Sequence, residues 1–200
     1  MVRTKNLAGV SNPITSPEES ERLKEERKQR NRLNRQRAKN MERRVARYLG
    51  GDRTPQSGAG SSKGDVAVLF TNRPGRYLVE CKLTDQWFNG HPAMSLSKAW
   101  LLKIQEEAKQ MNALFGILVF RFHQRQDDYV LVRASDMAKL VKMGDTPLSL
   151  AFETSAKTIH MTFERAQLCK QSPGFVSVSI NYVIYYLMTL SMYKQLLDES

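Results

Sequence analysis

Two hundred residues, 41% of them hydrophobic, suffice for one domain of about 150 residues with a full core and an appendage. The net charge of +11 is uneven: residues 1–53 hold 15 Lys/Arg against 7 Asp/Glu, a net of +8, and residues 54–200 hold 16 against 13, a net of +3. Two cysteines exclude a disulfide framework, and the most apolar tract, Tyr182 to Met192, is too short to span a bilayer. The opening MVRTKNLAGVSNPITSPEE lacks the apolar run of a signal peptide, and a reducing, cytoplasmic setting fits.

In chain order, the first expected element is a basic arm. Ser16-Pro17-Glu18-Glu19 reads as a capping box with proline at the first helical position. The chain then runs without Gly or Pro to about Leu49, acids early and arginines late, as the helix dipole favours. Apolar residues are sparse before Met41, Val45, Tyr48 and Leu49. The pattern predicts an arm over 1–39, helical from about 17, beside a domain over 40–200. Residues 18–38 are a solvated or DNA-facing stretch that orders on binding, and 40–49 dock on the domain. Arg35, Arg37, Lys39 and Arg43 are its candidate phosphate contacts. A merely solubilising charged face is the alternative.

Gly50-Gly51 ends the helix, and a Gly/Ser-rich loop runs from Ser57 to Gly64. Asp65 opens a short apolar strand over 66–70; a turn at Asn72 to Gly75 leads into a second strand over 77–83. The spacing predicts a helix over 95–113 with Leu96, Trp100, Ile104, Ala108 and Met111 on one face. Phe115 to Phe122 reads as a central strand covered on both faces, and 129–132 as another. A short helix over 134–143, strand-like pieces near 159–165 and 175–180, and a final amphipathic helix over about 182–197 complete an α/β fold, a mixed sheet with flanking helices.

The most informative feature is Glu80-Cys81-Lys82 with Asp65 at the mouth of the preceding strand. Strand alternation puts Glu80 and Lys82 on one face and Cys81 on the other. Glu80 interrupts a strand otherwise apolar enough to be buried, so it needs a partner. One reading is an edge-strand ion pair with Lys82 or Arg76. The other joins Glu80 to Asp65 around a divalent cation, with the Cys81 carbonyl as a further oxygen, a donor set that suits Mg²⁺ or Mn²⁺ better than zinc. His91 reads as a turn residue, His123 and His160 share no zinc spacing with either cysteine, and Trp87 and Phe88 either pack the sheet edge or stack on a splayed base. The glycines at 58, 60 and 64 lack the lysine of a phosphate loop, which argues against a nucleotide cofactor.

Together these pieces resemble the PD-(D/E)xK nuclease superfamily, in particular its Holliday-junction-resolvase-like members from archaea and phages. The match covers roughly residues 40–120: Glu42 on the preceding helix, the Ser57-Gly58-Ala59-Gly60 loop, Asp65 in KGDVAV and the Glu80-Cys81-Lys82 triplet. Gly64 stands where the namesake motif has proline. The resemblance implies a restriction-endonuclease-like sheet, with a C-terminal extension from about 145 outside the match. It implies that Asp65 and Glu80 hold the catalytic metal and that Lys82 orients or activates water. Glu42 joins the cluster as a further ligand, through water, or by holding Lys82. Ser57 and Lys63 contact the DNA backbone, and Gln105, with Lys98 as competitor, is the assisting polar residue of the following helix. The expected activity is metal-dependent cleavage of branched DNA by a homodimer in the cytoplasm, or host cytoplasm for a phage protein, without membrane or nucleotide cofactor. A nuclease for linear duplex, ends or flaps, and a non-catalytic basic nucleic-acid-binding protein, are the alternatives.

Overall fold

Ser16 starts the first helix as its sequence predicts: the Ser16 Oγ accepts from the Glu19 N–H at 3.2 Å, and its carbonyl accepts from the Ser20 N–H at 2.9 Å. A computed structural model describes residues 16–54, 65–69, 75–140, 150–171 and 175–199. The expected contacts Ser57 and Lys63 lie outside the described residues, as does most of the Gly/Ser loop. Two compact units divide at Gln36/Arg37.

Helix α1 is continuous over Pro17–Leu49, so the stretch 18–38, expected to order on DNA, is helical. In the first unit its side chains are almost all exposed, laced by Lys28–Glu25 at 2.6 Å and Arg22–Glu26 at 3.7 Å. Exposed pairs of this kind add little stability.

In the second unit the last turns of α1 bury Met41, Val45, Ala46 and Leu49. Gly50, at φ +70°, closes the helix in the left-handed region. Strands β1 (Asp52–Arg53), β2 (Val66–Leu69), β3 (Arg76–Thr84), β4 (Trp87–Phe88) and β5 (His91–Ser97) follow, and then helix α2 (Lys98–Gln110). The helix begins later than its apolar spacing predicts, because Ser97 caps it through the Trp100 N–H while Ser95 and Leu96 pair in β5. After it come β6 (Gly116–Phe122), β7 (Tyr129–Arg133), α3 (Ala134–Leu140), β8 (Leu150–Thr154), β9 (Thr158–Thr162), α4 (Phe163–Gln167), β10 (Phe175–Ile180), β11 (Val183–Thr189) and α5 (Leu190–Asp198).

The chain is mixed α/β: one eight-stranded sheet in the order β1-β2-β3-β6-β7-β11-β10-β8, flanked by helices, with a three-stranded sheet β4-β5-β9 beside it. Among the described residues only the β3/β6 and β10/β8 pairs are parallel. Strand β6 is buried on both faces, as its unbroken apolar run predicts. Ile117 and Val119 face the core that holds α1 and α5, while Leu118, Phe120 and Phe122 face the core that holds α2 and β9.

The expected final helix over 182–197 is corrected. Residues 183–189 form a strand between β7 and β10, and only Leu190–Asp198 is helical. Asn181 and Tyr182, at φ 46° and 65°, make the two-residue turn that sends β11 back along β10. Residues after 145 therefore contribute three strands to the main sheet. Among the described residues no helix is long and apolar enough to cross a membrane.

Candidate active site

Pairing of β2 with β3 decides the site. The ladder's last pair is Val66 with Val79, which brings Asp65, one residue before β2, against the Val79–Cys81 stretch of β3. The Asp65 N–H donates to the Val79 carbonyl at 2.8 Å, its own carbonyl accepts from the Thr54 N–H at 3.1 Å, and its Oδ2 accepts from the Cys81 N–H at 2.7 Å. Three bonds to neighbouring strands thus fix an acid that sits where the loop enters the sheet. On β3, alternation holds as expected: Cys81 packs toward the α1 core, and Glu80 and Lys82 lie on the side of α2.

Burial governs the electrostatics. Removal from water raises Asp65 to about 6; the Cys81 N–H pulls it back down, the Glu42 charge pushes it up, and Lys82 and Arg53 lower it. Glu80 rises to about 7, first from burial and then from the Asp65 charge, with Lys82 and Lys103 opposing and Glu107 adding. The Cys81 thiol is pushed up by burial among Asp65, Glu42 and Glu80, so it is a packed sulfur rather than a nucleophile. The Lys82 ammonium is not docked on Glu80, as an ion-pair reading requires. It lies over the Trp100 ring, 5.8 Å from the centroid, and acts on both carboxylates through space. Arg76, the other proposed partner, donates to the Met111 carbonyl.

Glu42 is buried and held by Arg53, whose Nε donates at 2.8 Å and whose Nη2 lies at 2.6 Å from the same oxygen. It acts on Asp65 as a nearby charge. Gln105 has a different occupation from the one its helix position implies. Its Nε2 donates to the Gly116 carbonyl at 2.6 Å and its Oε1 accepts from the Gly116 N–H at 3.1 Å. Both ends of the amide thus tie α2 to the start of β6. Replacing Gln105 by Leu is expected to destabilise the fold by about 1–3 kcal/mol, by leaving both Gly116 groups unsatisfied. A urea melt measures this, and a lost cleavage rate in protein shown to be fully folded would instead give Gln105 a part in the chemistry. Lys98 reaches toward the Asn181 carbonyl at 3.5 Å. Arg35, Arg37, Lys39 and Arg43 are all exposed on α1.

Arg53, Trp100, Lys103 and Glu107 are participants that sequence reasoning misses. Arg53 lies on a two-residue strand too short to read. Trp100 fits a packing stripe, yet its half-buried ring also carries the Lys82 ammonium. Lys103 and Glu107, 3.6 Å apart at i,i+4 on α2, read as an ordinary surface pair, and only the fold brings them near Glu80.

A dication needs oxygen donors here, and the arrangement offers two neighbouring carboxylates whose ionised forms are disfavoured by burial, Glu80 also by the Asp65 charge and Asp65 by the Glu42 charge. Asp65, Glu80 and the Cys81 carbonyl are the groups that would hold Mg²⁺ or Mn²⁺, which favour such oxygen donors. Among the described residues no group of three or more His, Cys, Asp and Glu side chains is placed to hold a metal ion. The side-chain contribution is thus limited to two carboxylates. Comparison of the chain with family models, with curated proteins and with solved structures finds no match.

Proposed function

We propose that this chain is a metal-dependent endonuclease that hydrolyses phosphodiester bonds in DNA, with branched DNA as its preferred substrate. The observation that carries the reading is Asp65 at the entry to β2, bonded to the Cys81 N–H and acting by its charge on Glu80 of β3, both acids desolvated, with the exposed Lys82 ammonium two residues along on the Glu80 face. A restriction-endonuclease-like core accords with α1 before the two acid-bearing strands and α2 after them.

In the reaction, water adds to phosphorus and the bond to the leaving 3′ oxygen breaks, leaving a 5′ phosphate and a 3′ hydroxyl. A dication held there would supply Lewis-acid polarisation of the phosphoryl group and stabilise charge on the departing oxygen. Asp65 and Glu80 would hold it, and both must be ionised to do so. Lys82 orients the attacking water and offers its positive charge to a phosphoryl oxygen. Arg53 keeps Glu42 ion-paired beside Asp65, so that the acid is retained without standing as an unpaired buried charge. Two symmetric cuts in a junction call for a twofold dimer.

The testing experiment is cleavage of matched four-way junction, flap, linear duplex and single-stranded DNA, with and without Mg²⁺ or Mn²⁺. Paired symmetric nicks in the junction support the full reading, and cleavage of every substrate supports a general nuclease. The restriction of the side-chain donors to two carboxylates favours a second reading, a basic nucleic-acid-binding protein with an inert core. Tight binding with no metal-dependent cleavage of any substrate selects it.

The basic arm contributes affinity. Removal of residues 1–38 deletes ten Lys/Arg and five Asp/Glu, a net of +5. It is expected to weaken DNA binding and to flatten its salt dependence by about 0.9 in log–log slope for each phosphate that the arm neutralises in the intact protein. A binding titration from low to high salt measures this, and an unchanged slope rejects the role.

A further inference from the structure

Strand β3 does not end at the candidate site. Past Lys82 the chain runs through Thr84, Asp85 and Gln86 into β4, and Trp87 there is 69% exposed, among the largest exposures of any apolar side chain described. The backbone beneath it is fixed. The Gln86 carbonyl accepts from the Ala93 N–H at 2.8 Å, and Thr84 Oγ1 donates to the Ala93 carbonyl at 2.8 Å and accepts from the Gln86 N–H at 3.2 Å. Trp87 pairs with Pro92, and Asn89 and Gly90, at φ 49° and 80°, close the turn. Phe88 lies flat on His160, with ring centroids 4.0 Å apart, and His160 is itself bonded to Ser95 at 3.1 Å. One aromatic of the pair is therefore docked, and its neighbour is held out on a rigid support.

Beside Lys82 lies a cleft of about 280 Å³, whose walls include Lys82, Asp85, Gln86, Met94, Ser95 and Trp100. That volume lies at the low end of small-molecule sites and suits a single planar group. Five residues of extended chain place Trp87 no more than about 17 Å from Lys82, the length of about five base steps of duplex.

We infer that Trp87 is a stacking platform for unpaired bases next to the scissile phosphate, with the cleft beside Lys82 receiving one splayed base. The inference rests on the nuclease reading for the placement of the phosphate. It specifies the substrate: DNA with an unpaired stretch within about five nucleotides of the cut. Nucleic acid is the occupant that the surroundings favour. The cleft has the exposed Lys82 beside Asp85 on its wall, in a stretch (residues 54–200) of net charge +3, and an aromatic already ordered loses little freedom when a base stacks on it.

The test is binding without cleavage, in EDTA, of full-length protein to a labelled duplex and to the same duplex carrying a short single-stranded gap. Trp87→Ala is expected to weaken binding to gapped DNA by about 5- to 100-fold and to leave intact duplex unchanged, with Trp87→Phe retaining most of the affinity. The chain has two tryptophans. Gapped DNA is therefore expected to quench indole emission in wild type and in Trp100→Phe, and to quench it far less in Trp87→Ala. Equal weakening on both DNAs, or none on either, overturns the inference. So does a fall in the sedimentation mass of Trp87→Ala with DNA affinity intact, which makes the surface an interface between copies. Trp87-dependent binding of gapped DNA in a protein that never cleaves with Mg²⁺ or Mn²⁺ leaves the stacking site standing and removes the nuclease.

Discussion

Lys82→Ala is expected to lower cleavage by at least about 100-fold while DNA affinity changes little. The separation follows from position. Lys82 is one of 31 Lys/Arg residues, and the basic excess lies elsewhere, in the first 53 residues. Its ammonium, however, is the cation that acts on both Asp65 and Glu80. The side chain is exposed and its stem lies beside Trp100, so truncation removes charge and a cation–π pairing without opening a core cavity. Single-turnover cleavage and anisotropy binding on the same preparation check the result. Parallel loss of both activities in folded protein would make Lys82 a binding residue and no part of the chemistry.

Asp65→Asn and Glu80→Gln are expected to stop cleavage and yet to stabilise the fold at pH 8. The sign follows from burial. Each acid has a folded pKa above its ordinary value, Asp65 about 6 against 3.8 and Glu80 about 7 against 4.5. The folded chain therefore binds protons more tightly than the unfolded one, and stability falls as pH rises from about 4 to about 7. Above that window both acids are ionised in the folded state, and the penalty is complete. Its size is on the order of 2 kcal/mol per acid, and less than twice that for the pair, because part of the Glu80 shift is repulsion by the Asp65 charge. Lys82, Arg53 and Lys103 offset the penalty, and Glu42 and Glu107 add to it. Melting curves at pH 5 and pH 8, with Mg²⁺ and with EDTA, give the readout. The amide variants should gain most at pH 8 and clearly less at pH 5, and Mg²⁺ should raise the wild-type midpoint at pH 8 and leave the variants unmoved. A wild-type protein indifferent to Mg²⁺ at pH 8 would remove the metal from the proposal.

Much of this site is legible in the sequence because strand alternation is local. Glu80, Cys81 and Lys82 fall on their faces from the period alone, and Asp65 follows from a glycine-rich loop entering a strand. Pairing partners are not local. Nothing in the chain near Glu42 announces that Arg53 holds it, and the helical position of Gln105 gives no hint that its amide serves Gly116. The C-terminal strand is hidden for a different reason. Tyr182-Val183-Ile184-Tyr185-Tyr186-Leu187-Met188 is apolar on both faces, so it carries no two-residue period, and its turn uses Asn181-Tyr182 where a glycine would have marked a hairpin. Apolar spacing finds helix α2 but carries it too far back, since Leu96 fits the helical stripe while its backbone pairs with Ile159.

The position of β11 has a consequence for biosynthesis. It fills the gap between β7 and β10, yet it follows both of them in chain order. Until residues 183–189 emerge, β7 has no neighbour on one side, and its fully apolar Tyr129 to Val132 run waits as a bare edge. The sheet that supports Asp65 and Glu80 cannot close before residues 183–189 have been made, so a nascent chain carries both acids on an unfinished scaffold. A product terminated before residue 183 would be aggregation-prone for the same reason.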